Sequence, residues 1–147
     1  MIPILFLLVF AGDETAKLLP DGPGKASVAK VCVDCHDTEP IRRLRLRRGE
    51  WADKIDDMVR RGAKGTDQEF LSILDYLSTN FGPESKIRVN TAPFGELKDL
   101  LGLTNQEAEA VLAYRKQNGP FRDWRDLLNV PKVDGKKIEV KKDLLVF

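Results

Sequence analysis

A chain of 147 residues has room for one domain or for two small ones. Its 24 basic and 23 acidic side chains leave a formal net charge of +1, which excludes a molecule drawn as a whole to nucleic acid or acidic membranes. Both of its two cysteines fall within one short motif, so none is left for a disulfide or a lipid anchor.

The chain starts with an apolar run over residues 2–10 that is too short to span a bilayer, which takes about 20 residues. The run resembles the apolar region of a secretory signal with cleavage after Ala11, although it lacks preceding positive charges. A buried strand or helix is the alternative. We expect a signal over residues 1–12, a periplasmic or otherwise exported protein without a membrane span in the mature chain, and a flexible lead-in over 13–24.

The next segment carries the most specific motif of the chain, Cys32-Val-Asp-Cys35-His36. Apolar spacing predicts a helix that begins at Lys25 and carries the motif at its end. This Cys and His spacing is typical of c-type haem attachment, in which both thiols add to haem vinyl groups and His36 binds the iron. Zinc would need a carboxylate or water as a further ligand, and a thioredoxin-like pair would need a βαβ context. We therefore expect one covalent haem c.

An arginine run follows, formed by Arg42, Arg43, Arg45, Arg47 and Arg48. Guanidinium groups pair well with carboxylates, so Arg43 and Arg47 are candidates to bind the haem propionates. The run could instead form a docking patch for an acidic partner or a solvated charged segment.

Two further helices are predicted before residue 82. The first runs from Glu50 to Arg61 on an apolar stripe that includes Met58, the only methionine besides Met1. Met58 is the candidate for the second iron ligand, and the alternative is a side chain that fills the core. The second helix begins at a capping box, Thr66 to Glu69.

Residues 25–82 resemble a small monohaem c-type cytochrome domain. The resemblance rests on the haem motif, the arginine run, and a helix with Trp51 that ends in Met58-Val59 followed by Gly62-Ala63. It implies an electron-transfer protein that is not itself an enzyme, although it could be the haem subunit of a larger oxidoreductase. A redox partner protein is then expected, and residues 83–88 form a linker.

Residues 89–147 show short apolar helices separated by tight turns. Thr91 is predicted to cap the first helix, with Pro93 in its first turn, and Thr104 to Glu107 form a second capping box. A last helical stretch is predicted from Gly135 to Asp143. The fold class is therefore all-α.

This second half resembles the tandem helix-hairpin-helix domain of competence-type DNA-binding proteins. In that family each hairpin carries a hydrophobic residue between two glycines, which lets backbone N–H groups approach phosphates. Here Gly102 keeps the first glycine position, whereas Thr104, Lys132 and Asp134 replace the other three. Twelve basic and nine acidic residues in 86–147 give a net charge of only +3, including Lys136 and Lys137. We expect this half to dock to the haem domain or to a protein partner. The alternative is a helix-hairpin-helix adaptor that binds DNA or docks a protein, in which the haem is structural or sensory.

Overall fold

The computed structural model describes residues 16–33 and 35–147, so the apolar run over residues 2–10 and Asp34 lie outside the described residues. Within the described residues the chain is mostly helical, which confirms the predicted fold class. None of the helices in this part of the chain combines the length and apolar character of a membrane span.

Four helices form the described part of the N-terminal half. They are α1 (Lys25–Val31), α2 (Glu39–Arg42), α3 (Arg48–Arg60) and α4 (Asp67–Asn80). The predicted capping box at α4 is confirmed, because Thr66 Oγ1 accepts a hydrogen bond from Glu69 N and the Glu69 carboxylate accepts one from Thr66 N. Helix α3 begins two residues before Glu50, where Arg47 N donates to the Glu50 carboxylate at 2.7 Å.

The N-terminal core lies where α1 and α3 pack against α4. Trp51 is buried there, and its indole N–H donates to the carbonyl of Phe81 at 3.1 Å. Gly24 begins α1 so close to α4 that a β-carbon would lie 2.5 Å from the carbonyl oxygen of Ser72. The lead-in is tied to the same helix, since the Tyr76 hydroxyl donates to the carbonyl of Pro20 at 2.5 Å.

Four helices also form the C-terminal half. They are α5 (Phe94–Leu101), α6 (Asn105–Asn118), α7 (Trp124–Leu128) and α8 (Gly135–Lys141), followed by a 3₁₀ turn over Lys142–Leu144. The capping box at Thr104 is confirmed by reciprocal hydrogen bonds with Glu107. Leu97, Val111, Leu127 and Ile138, one from each helix, are fully buried in one core.

The prediction that Thr91 caps the first helix of this half is wrong. Helix α5 begins at Phe94 after Pro93, and Thr91 lies in a turn in which its N–H bonds to the carbonyl of Arg88. The turn is held by Asn90, whose side chain accepts from Phe121 N and donates to the Phe121 carbonyl, both at 2.8 Å.

Two short strands join the ends of the C-terminal half. Strand β1 (Ile87–Arg88) pairs in parallel with β2 (Leu145–Val146), so that Ile87 lies opposite Leu145. Both of these side chains are buried in the C-terminal core. The pairing closes the domain by fixing its last residues beside the linker.

The two halves touch through α2 and α5. Arg42 and Glu96 form an ion pair with a separation of 2.5 Å, and their side chains are only 7% and 8% exposed. Gly95 allows this approach, because a β-carbon there would lie 2.5 Å from the Glu39 carboxylate. The helix that follows the Cys32–His36 motif is therefore the helix that contacts the C-terminal half.

Candidate functional site

The haem motif lies at the end of α1, where sequence reasoning placed it. Cys32 ends the helix, with its N–H bonded to the carbonyl of Val28 at 2.9 Å. Its side chain is half-buried against the N-terminal core, whereas Cys35 is exposed, and both thiols are free. Burial, with a smaller contribution from Cys35, raises the pKa of Cys32 from its ordinary 9.0 to about 11.

The geometry of His36 defines which ring nitrogen is available. Its Nδ1 lies 2.7 Å from the carbonyl oxygen of Asp37. A carbonyl can only accept a hydrogen bond, so Nδ1 must carry the proton and Nε2 of the neutral ring is left bare. The Asp37 carboxylate in turn accepts from Glu39 N at 2.9 Å, which ties this loop to the start of α2.

These residues fit a covalent haem by the chemistry of their donor set. Two free thiols lie three positions apart in the chain, and the exposed imidazole next to Cys35 has Nε2 available for a metal. The described residues contain no group of three or more His, Cys, Asp or Glu side chains arranged to hold a metal ion.

Met58 lies half-buried near the end of α3. Trp51 and Ile55 of the same helical stripe belong to the N-terminal core or pack against it, but Met58 is not among the described side chains that do so. The neighbouring Val59 is 42% exposed. The apolar stripe thus extends beyond the core that it helps to form, and the role of Met58 as an iron ligand stays a prediction.

The arginine run is largely engaged by the protein itself. Arg43 Nε lies 2.6 Å from the Asp99 carboxylate of α5, and Arg45 donates through Nη2 to the carbonyl of Lys86 at 3.2 Å. Arg47 is exposed and caps α3 through its backbone. Binding of haem propionates by Arg43 and Arg47 stays a prediction, whereas the contact with α5 was missed because nothing in the sequence marks α5 as the partner.

Helices α5 and α6 form the first hairpin and helices α7 and α8 form the second, and the turn of each hairpin contains one residue with a positive φ. Gly102 has a φ of 67° and Lys132 has a φ of 72°, the only positive value of a non-glycine residue in the described chain. Lys132 therefore holds the left-handed conformation that glycine adopts most readily. Thr104 and Asp134, at the second glycine positions, cap α6 and α8 with their side chains.

Glu107 links the two hairpins, a role that the sequence does not indicate because Asp134 and Lys137 are distant from it in the chain. Its carboxylate accepts hydrogen bonds from Thr104 N at 2.7 Å, Asp134 N at 2.9 Å and Lys137 Nζ at 2.6 Å. Desolvation by burial opposes the charged form, but the hydrogen bonds from Lys137, Thr104 and Asp134 outweigh it and lower the pKa of Glu107 to about 2.

Glu96, at the contact between the halves, differs from Glu107 because burial has the larger effect on its pKa. Desolvation by burial raises the pKa of Glu96, against the opposing effect of the positive charges of Arg42 and Arg45. The buried carboxylate therefore depends on Arg42 for its compensation.

Comparison with known proteins concerns the C-terminal half. Residues 82–146 match the family model of the helix-hairpin-helix motif. ComE operon protein 1 of Bacillus subtilis is 34% identical over 58 residues, which are 40% of this chain and 28% of that protein. An uncharacterized protein of Haemophilus influenzae is 33% identical over 63 residues, 42% of this chain and 56% of that protein.

A more distant relative is endonuclease/exonuclease/phosphatase family domain-containing protein 1 of Rattus norvegicus, 31% identical over 55 residues, 37% of this chain and 10% of that protein. The chain thus spans little more than half of these relatives at most. No solved structure gives a significant match. The C-terminal part of the chain, residues 82–146, is a helix-hairpin-helix domain related to ComE operon protein 1.

Proposed function

We propose that this chain is an exported c-type cytochrome that carries one haem on Cys32 and Cys35 and transfers electrons to or from a redox partner protein. The observation that carries the proposal is the motif itself, in which two free thiols adjoin a histidine whose Nδ1 is engaged by the Asp37 carbonyl. That arrangement leaves Nε2 for the iron. When bound, the haem would supply one-electron exchange.

The chain's own residues would hold and shield the group. Cys32 would hold one thioether against the N-terminal core, and Cys35, which is exposed, would hold the other. Met58 is the proposed second ligand, and the exposed part of its stripe would lose its contact with water if a porphyrin covered it. Arg43 and Arg47 remain the proposed propionate partners.

The test is expression of the full chain with the haem-ligation machinery. We expect a c-type pyridine haemochrome and a mass increase of one haem that survives denaturation. Replacement of both Cys32 and Cys35 by Ala should abolish both signals. Absence of covalent haem from the unmodified chain would end the proposal.

The second ligand needs its own variant. Met58→Ala should keep the covalent haem but lose the weak red-edge absorption of the ferric protein that reports methionine ligation. The matched control is Val59→Ala on the next position of the same helix. An unchanged band in Met58→Ala would show that another group binds the iron.

The comparisons favour a second candidate function, DNA binding by the C-terminal domain. It is supported by the family match over residues 82–146 and by the hairpin backbone kept at Gly102 and Lys132. Binding of duplex DNA by the full chain, with an affinity that falls as salt rises, is the expected sign. No retention on duplex DNA even at low salt would exclude this candidate.

A further inference from the structure

An anion is already enclosed between the two hairpins. The Glu107 side chain is only 7% exposed, and it bonds two backbone N–H groups that belong to different hairpins, those of Thr104 and Asp134. Lys137 adds a positive charge on the same carboxylate oxygen as Thr104. Backbone N–H groups at helix starts, supported by a lysine, are the groups that bind phosphate in proteins.

The side chains at the second glycine positions occupy further N–H groups. Thr104 Oγ1 accepts from Glu107 N at 3.3 Å, and Asp134 Oδ1 accepts from Lys136 N at 3.0 Å. Asp134 also places a negative charge at the start of α8, where it would repel a phosphate. Each hairpin therefore satisfies at its helix start N–H groups that an external anion would need.

The C-terminal domain also contacts the N-terminal half of the same chain. The first helix of the first hairpin, α5, carries Glu96 into a buried ion pair with Arg42 of α2. Asp99, one turn further along α5, pairs with Arg43. Gly95 gives α2 the space for this contact. The C-terminal domain thus contacts α2 through α5, and elsewhere the Glu107 carboxylate occupies N–H groups of both hairpins.

We propose that Glu107 is a built-in substitute for phosphate, which holds the two hairpins together and keeps the N–H groups of Thr104 and Asp134 from binding an external phosphate. The proposal concerns the hairpins alone and holds whether or not a haem is attached. It also separates two modes of DNA contact, because a lysine on the surface can attract DNA without any involvement of the locked N–H groups.

The experiment follows the backbone amides of Thr104 and Asp134 by NMR in the full chain while a short duplex DNA is added at about 50 mM salt. We expect both amides to keep their positions and to exchange slowly with solvent, because Glu107 holds them. In Glu107→Ala the two amides should exchange at least roughly tenfold faster and should shift when DNA is added. Glu109→Ala, which removes the same charge from an exposed position of α6, is the matched control and should behave like the unmodified chain.

If Glu107→Ala does not fold, Glu107→Gln provides a second test. It keeps the volume of the side chain but accepts hydrogen bonds only through its carbonyl oxygen, so the backbone amide that faces its NH₂ group loses its acceptor. Amides of Thr104 and Asp134 that shift with DNA in the unmodified chain would overturn the proposal. The same conclusion would follow if neither Glu107 variant made these amides more responsive than Glu109→Ala does.

Discussion

Cys32 and Cys35 carry the same thiol in different surroundings. Burial raises the pKa of Cys32 to about 11, and the thiolate is the reactive form, so its population at pH 8 falls by about a hundredfold relative to the ordinary value of 9.0. In the haem-free protein, iodoacetamide should therefore modify Cys35→Ser, which retains Cys32, at least roughly tenfold more slowly than Cys32→Ser. Mass spectrometry of timed samples measures both rates.

Unfolding provides the control for this difference. In strong denaturant the burial is lost, and the two single-cysteine variants should react at similar rates. Equal rates in the folded protein would show that the Cys32 thiol is as accessible as that of Cys35.

Lys132 adopts a left-handed backbone conformation that glycine adopts more readily. A non-glycine residue in the left-handed region costs about 1 kcal/mol, and the φ of 72° places Lys132 there. Lys132→Gly should raise the free energy of unfolding by up to about 1 kcal/mol, as measured by urea denaturation.

Lys132→Ala separates the backbone from the side chain, because it keeps the β-carbon and removes only the amine and its stem. It should bring no such gain. A gain equal to that of glycine would place the strain in the lysine side chain instead of the backbone.

At the scale of elements, the linked hairpins make acid stability depend on one carboxylate. The pKa of Glu107 is lowered from 4.5 to about 2, so its stabilising effect is complete above about pH 5 and is lost as the pH falls towards 2. Glu107→Gln should lower the free energy of unfolding by about 2 to 3 kcal/mol at pH 7 and by much less near pH 2. Urea denaturation across this range measures the difference, and Glu109→Gln should follow the unmodified chain throughout. A pH-independent loss in Glu107→Gln would contradict the assigned pKa.

The predictable elements are those whose signals are local. The boxes at Thr66 and Thr104 could be predicted because cap and partner lie three residues apart. Thr91 is also a residue type that caps helices, but it lies in a turn that Asn90 holds through hydrogen bonds to the distant Phe121. The pairing of β1 with β2 joins residues almost 60 positions apart, which no local pattern records.

The candidate site divides in the same way. Spacing alone placed Cys32, Cys35 and His36 at a helix end, because the motif is contiguous. The partners of Arg42 and Arg43 lie on the C-terminal domain, so composition indicated only that anions would be bound. Glu107 was predicted as a capping residue, and its second role depends on the approach of the other hairpin.

At the scale of the whole molecule, the contact between the halves contains one buried ion pair and one more exposed ion pair. Arg42 and Glu96 are almost fully enclosed, whereas Arg43 and Asp99 are 41% and 33% exposed. Water screens the second pair but not the first, so the two should differ in energy although both join α2 to α5. The short stretch between the haem motif and α2 connects this contact to His36 through Asp37.

Two alanine variants on α5 distinguish these contributions. Glu96→Ala leaves the buried Arg42 charge without compensation and should lower the free energy of unfolding by about 3 kcal/mol. Asp99→Ala breaks an exposed pair and should cost less than about 1 kcal/mol. Urea denaturation measures both, and limited proteolysis between residues 83 and 88 should be faster in Glu96→Ala if the halves separate. Equal effects of the two variants would mean that burial does not decide the strength of this contact. A large loss in Glu96→Ala without faster cleavage would show that the two halves stay together without this ion pair.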